Sequence, residues 1–199
     1  MRVDELPGGG APLLGEPLPI ELANTTHAVR GRLLDGLDTA EHLAAWLRDT
    51  RARLSEPVPD HALLALGPAE LEAARQLRDA VRQLAAAAAH RTRPPQQALD
   101  TVNQRIRAAP RWRELSWDAE APAAVPRSSG SPVGTALAEL AQQAVDLFSG
   151  PELPLVTACQ GPGCVLHFVK DSPRRGWCSP ACGNRARAAR HYARTKQAG

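Results

Sequence analysis

All four cysteines of the 199-residue chain fall within twenty-four residues, as Cys159-x4-Cys164 and Cys178-x3-Cys182. Two short-spaced pairs supply four soft ligands from two local turns, which is what a tetrahedral structural zinc site requires. The first pair brackets Gln160-Gly161-Pro162-Gly163, a turn rich enough in Gly and Pro to aim backbone amides at sulfur. The second pair lies where a helix should start, because Ser179 is a good N-cap and Pro180 a good first helical residue. That puts Cys178 just before the cap and Cys182 in the first turn. The positive end of the helix favours the thiolate form a metal needs. Two disulfides are the competing reading, but the N-terminal stretch lacks the apolar segment of a secretory signal, and a cytoplasmic protein with reduced thiols is expected. A redox pair with two intervening residues is excluded by the spacing. His167 and His191 are metal ligands by type, yet four thiolates complete the tetrahedron without them. One structural Zn2+ per chain is the expectation.

The same region is basic. From Ser172 to the end there are seven cations, Arg174, Arg175, Arg185, Arg187, Arg190, Arg194 and Lys196, and no Asp or Glu. The rest of the chain carries 17 basic and 21 acidic side chains, so the overall +3 hides a charge split. Such a split suits a partner that is a polyanion. The bland alternative is a basic helix packed on an acidic body. Arg187, Arg190, His191 and Arg194 are spaced to share one helical face, and Ala186, Ala189 and Ala193 form a small stripe that could rest on a hairpin. Arginine's planar fork pairs with phosphate and can read guanine edges. Asn184 could read adenine or bond the metal knuckle. Trp177 is expected to cap the metal site as its small core.

Around this region the chain reads as mainly α: a helical N-terminal domain with a small β-hairpin, plus a C-terminal treble-clef-like four-cysteine finger. Residues 1–18 are Gly/Pro-rich and read as a flexible N-terminus, 19–150 as the helical domain and 151–199 as the finger, with the boundary near Gly150. A first helix is expected from Ile20 to Arg30. Its polar residues Asn24, Thr25 and His27 either tie it to a neighbour or line a ligand pocket, and the structural role is preferred. A loop with a turn at Asp35-Gly36 follows. Asp38-x-x-Glu41 then reads as a capping box opening a helix to Thr50. The longest helix runs from Pro68 to Arg91 with Leu71, Ala74, Leu77, Val81, Leu84 and Ala88 inward, and with Arg75, Arg78, Asp79 and Arg82 as a solvated face. A helix to Arg107 is expected next, then a strand over Trp112–Trp117 paired with Ala123–Arg127, then a helix from Val133 to Ser149. Within the finger, Val165–Val169 and Trp177 read as a hairpin between the cysteine pairs.

Trp177-Cys178-Ser179-Pro180-Ala181-Cys182-Gly183-Asn184-Arg185-Ala186-Arg187-Ala188-Ala189-Arg190 resembles the signature of the CGNR zinc finger family. Glu21–Thr25, followed by Asp38–Leu47, resembles the start of the helical ABATE-type domain that such proteins carry. The resemblance spans the chain from about residue 18. It implies a zinc-dependent regulator of transcription, of a bacterial family assigned by inference to stress responses.

Taken together, these features predict a zinc-binding, DNA-binding regulator whose last helix contacts double-stranded DNA. The alternative is an interaction adaptor docking on an acidic partner. No serine, cysteine or histidine constellation suggests an enzyme, and no apolar run approaches the ~20 residues needed to span a bilayer. One basic helix is a small footprint, so a homodimer is expected. A small-molecule effector of the helical domain is left open and unidentified.

Overall fold

The computed structural model describes residues 7–117 and 121–197. Seven α-helices and three two-stranded antiparallel hairpins are present among them. In chain order they are α1 (Leu18–Ala23), β1 (Thr26–Val29), β2 (Arg32–Asp35), α2 (Ala40–Thr50), α3 (Asp60–Leu64), α4 (Pro68–His90), α5 (Gln96–Ala108), β3 (Arg111–Trp117), β4 (Pro122–Ser128), α6 (Pro132–Ser149), β5 (Val156–Ala158), β6 (His167–Val169) and α7 (Pro180–Gln197).

Helix α4 is the centre of the helical domain, packing on α1, α2, α5, α6 and β5. Its Ala74, Leu77, Val81 and Leu84 recur at three- and four-residue steps and are all buried. They meet Leu43, Trp46 and Leu47 of α2, Val102 of α5, and Leu137 and Leu140 of α6 in one apolar cluster. Burying each leucine or valine of this cluster contributes about 1.5–3 kcal/mol. The alanine-rich end of α4 has a separate role. Ala85 leaves room for Ile20, Leu147 and Val156 to pack around it, and Val156 belongs to the finger's first strand.

Several expectations need correcting. The helix expected over Ile20–Arg30 stops at Ala23, with Asn24 at its end, and the chain continues as the β1–β2 hairpin. Thr26 and Val29 are β-branched, and Arg30-Gly31 both take positive φ (50° and 79°), the turn geometry that matches hairpin twist. The N-cap of α2 is Thr39, whose side chain accepts from His42 N–H, and not Asp38. The arginine face of α4 is not solvated. Arg78 is buried between Asp35 and Asp79. Arg75 donates to the carbonyls of Leu37 and Asp38.

Of the stretch 1–18, read as flexible, residues 1–6 lie outside the described residues. From residue 8 on it is tied down. Gly8 N–H meets Asp49 at 2.5 Å, and Gly8 and Gly9 turn at positive φ (66° and 62°) over α2. A Cβ on Gly9 would lie 2.6 Å from the His42 carbonyl, so glycine permits this close approach. The β3–β4 hairpin and α5 and α6 fall where the sequence places them, to within a few residues.

Candidate metal centre and basic helix

The sulfurs of Cys159, Cys164, Cys178 and Cys182 lie within 4.8 Å of one another. The Cys164–Cys178 and Cys178–Cys182 separations are 3.8 and 3.5 Å. A tetrahedron of sulfurs about 2.3 Å from a central zinc has edges of about 3.8 Å, so the cluster fits that ion. Thiols packed this tightly cannot all ionise without a counter-charge. Cys159 is held toward thiolate by the neighbouring thiols of Cys164 and Cys178 and by the amides of Cys178 and Gly161. Its closeness to Cys159 pushes Cys164 up to about 11. A divalent cation would supply the missing positive charge.

Local structure explains the arrangement. The knuckle is closed by Cys164 N–H to Gly161 O, and a Cβ on Gly161 would lie 2.9 Å from Cys182 Cβ. Ser179 caps α7 by accepting from Cys182 N–H at 3.3 Å. The expected hairpin between the cysteine pairs is replaced by a different one. Strand β5, before Cys159, pairs with β6, after Cys164, so the first knuckle is itself the hairpin's turn. Phe168 of β6 is fully buried beneath the sulfurs with Leu166, and Trp177 packs on the same cluster.

Each residue of Cys182-Gly183-Asn184-Arg185 has a place here. Cys182 is a ligand. Gly183 lies under Trp177, whose ring would be 3.3 Å from an added Cβ. Asn184 accepts from Arg187, and Arg185 donates to Cys182 Sγ at 3.0 Å. Arg185, expected as a nucleic-acid contact, is thus also a partner of the metal shell.

The finger is locked to the helical domain. Asn24, wholly buried, donates to His167 O and accepts from His167 N–H, both at 2.9 Å. Glu16 accepts from Val169 N–H at 2.9 Å and pairs with Arg175 at 2.5 Å. Arg82 of α4 donates to Ala23 O and Thr26 O, and to Val165 O of the finger at 3.0 Å. Glu21 accepts from the amides of Leu14 and Glu16 and shapes the turn that holds Glu16. Burial raises the Glu21 carboxyl above the ordinary carboxylate range, and the Leu14 and Glu16 amides oppose the rise.

The site residues read from sequence therefore divide. Arg175 is a strut: it stacks on Phe168 at 4.5 Å and donates to the carbonyls of Val169, Trp177 and Cys178. It is not presented to an external partner. Asn24 joins the two parts, Thr25 bonds Leu22 O, and His27 lies against Thr25 O. An apolar groove of about 450 Å³ does exist, but between α4, α5 and α6 and lined by Leu84, Leu99 and Phe148, away from these three. Glu16 and Arg82 carry no local signal, because their partners are 153 and 83 residues away.

Helix α7 is different. Ala186 is buried, but every residue from Arg187 to Lys196 is exposed, Ala189 and Ala193 included, so the expected stripe rests on the finger at one point. Arg187 and Arg190 flank Trp177 at 5.9 and 6.0 Å. Among the described residues, Arg174, Arg187, Arg190, Arg194 and Lys196 pair with no carboxylate.

Fold and site together define a helical domain carrying a structural-zinc finger. The chain belongs to the ABATE family, whose model, described as "Putative stress-induced transcription regulator", matches residues 16–151, and the CGNR zinc finger model matches residues 156–195. Among curated proteins none matches the chain. No helix among the described residues is long and apolar enough to cross a membrane.

Proposed function

We propose that this zinc-binding regulator acts by binding double-stranded DNA through α7. The observation that carries the reading is the exposed run from Arg187 to Lys196 with its unpaired cations. A helix with so little packing of its own gains little from folding in water, so its order makes sense as a surface for a partner. Arg187, Arg190 and Arg194 lie on one face over about 10 Å of helix, the reach of successive phosphates along a groove. Zinc, when bound, fixes the start of α7 in place of a large core. Trp177 and the Asn184–Arg187 bond then orient the first arginines. Phosphate contacts set position, and few of these side chains read bases. The reading assigns no catalysis to the finger, since four sulfurs close a metal's coordination shell to water.

The test is capture of sheared genomic DNA by the zinc-loaded protein, followed by sequencing of the retained fragments. Enrichment of discrete fragments upstream of genes is the expected result. Failure to retain any fragment overturns the proposal and favours an acidic protein partner.

A further inference from the structure

The β3–β4 hairpin stands away from the body as an arm, and among the described residues each strand packs extensively on the other alone. Its base is fixed. Arg111 pairs with buried Glu139 at 3.0 Å, and Ser128 bonds Thr135 at 2.6 Å. Beyond that base its two faces differ. One face is closed by its own polar bonds, with Glu114 accepting from Trp112 Nε1 at 2.9 Å and from Arg127 Nε at 3.0 Å. The other presents Leu115 and Trp117, 74 % and 75 % exposed, beside Pro122, Ala124 and Pro126 of the partner strand.

The two edges differ as well. Ser129 N–H donates to Pro110 O, which makes that position a hydrogen-bonded pair. Pairs alternate along an antiparallel ladder, so the bonded ones continue as Trp112–Arg127, Glu114–Val125 and Ser116–Ala123. The backbone groups of Arg113, Leu115 and Trp117 therefore point outward from β3. On β4 the outward positions include Pro122 and Pro126, which have no N–H to offer. Proline blunts one edge of the arm and leaves the other open.

We infer that the open edge of β3 pairs with the same edge of a second copy of this chain, antiparallel about a two-fold axis at Leu115. In that register Leu115 meets Leu115, and each Arg113 lies opposite the Trp117 ring of the other copy, a cation over an aromatic face. Shifting the axis by two residues to Arg113 would oppose like charges. The resulting four-stranded sheet ends on both sides at a proline-bearing β4, so the assembly closes as a dimer and does not grow. The surface is self-complementary in backbone hydrogen bonding and apolar content, with each Arg113 set against an aromatic ring, which a second copy satisfies without any further partner. The inference stands apart from DNA binding. If both hold, two α7 helices are presented together.

The experiment is sedimentation of the full-length, zinc-loaded protein up to about 100 µM, where a micromolar dimer saturates. Wild type is expected to dimerise. Leu115→Pro removes an outward N–H that the hairpin's own ladder does not use, so the arm should stay folded while dimer affinity falls at least tenfold, with zinc content and helicity unchanged. A second measurement fixes the register. Leu115→Cys places two thiols at a bonded pair with Cα atoms about 5.5 Å apart, within disulfide reach. It should cross-link under mild oxidation. Arg113→Cys places them about 14 Å apart and should not. A monomer throughout the range, a dimer indifferent to Leu115→Pro, or equal cross-linking of both cysteine variants would each overturn the inference.

Discussion

Replacing Asn24 by alanine should loosen the finger from the helical domain. Its amide makes two hydrogen bonds to the backbone of His167, and both residues are buried. Each bond is worth about 1 kcal/mol net, and each group left buried without a partner costs about 1–3 kcal/mol. Overlap between these terms and partial relaxation bring the expected loss to about 3–4 kcal/mol. For a chain of this size each kcal/mol lowers the melting temperature by about 2–4 °C, so the midpoint should fall by about 6–16 °C. The assay is thermal unfolding of zinc-loaded protein followed by circular dichroism, with zinc release read in parallel by a chromogenic chelator. Release should quicken at temperatures where the helices remain folded. Asn24→Asp keeps the acceptor for His167 N–H but sets a carboxylate against His167 O, and should lose as much. A midpoint within about 2–4 °C of wild type, with unchanged zinc release, would refute the idea that this amide holds the finger in place.

Two further predictions follow from other parts of the same junction. Arg175→Met should destabilise the protein by about 2–4 kcal/mol, because it strands the buried Glu16 carboxylate, whereas Arg174→Met on the exposed loop should cost little; chemical denaturation of both variants compares them directly. His167 is held down to about 4 by burial, with Arg82 and His90 adding to the effect. Its folded value is thus below its unfolded one, so the stability it protects is full above about pH 6.5 and is lost as pH falls toward 4. Against His167→Leu, wild type should lose about 2 kcal/mol more between pH 7 and pH 5, and parallel profiles would contradict this.

The parts of the molecule legible in the sequence are those in which partners are close along the chain. The cysteine pairs, the Ser179 cap and the three- and four-residue steps of α4 and α6 all announce themselves locally. So does the alternation of Leu115 and Trp117 in β3. Leu22, Ala23, Thr26 and Val29 mimic helical spacing and so extend the apparent first helix, although the last two lie on a strand. The arginines of α4 recur at helical steps like any solvated stripe. Apart from the neighbouring Asp79, what buries Arg78 and engages Arg82 is the folded segment from Ala23 to Asp35, together with Val165, all of it distant in sequence. The finger's hairpin is hidden for a related reason. Val165–Val169 looks like a strand, but its partner precedes the first cysteine. The docking of Asn24 on His167, 143 residues apart, has no signature in either local stretch.

The central claim is that a zinc-organised helix α7 binds duplex DNA through its free arginines. The most direct measurement is the affinity of zinc-loaded protein for duplex DNA as a function of salt, for wild type and for a variant with Arg187→Ala, Arg190→Ala and Arg194→Ala. With Arg174, Arg187, Arg190, Arg194 and Lys196 engaging about three to five phosphates per chain, the logarithm of affinity should fall against the logarithm of salt with a slope of about −3 to −5. The variant should lose about three from that slope along with most of its affinity. Absence of binding at about 50 mM salt, or a slope that the three substitutions leave unchanged, would contradict the claim.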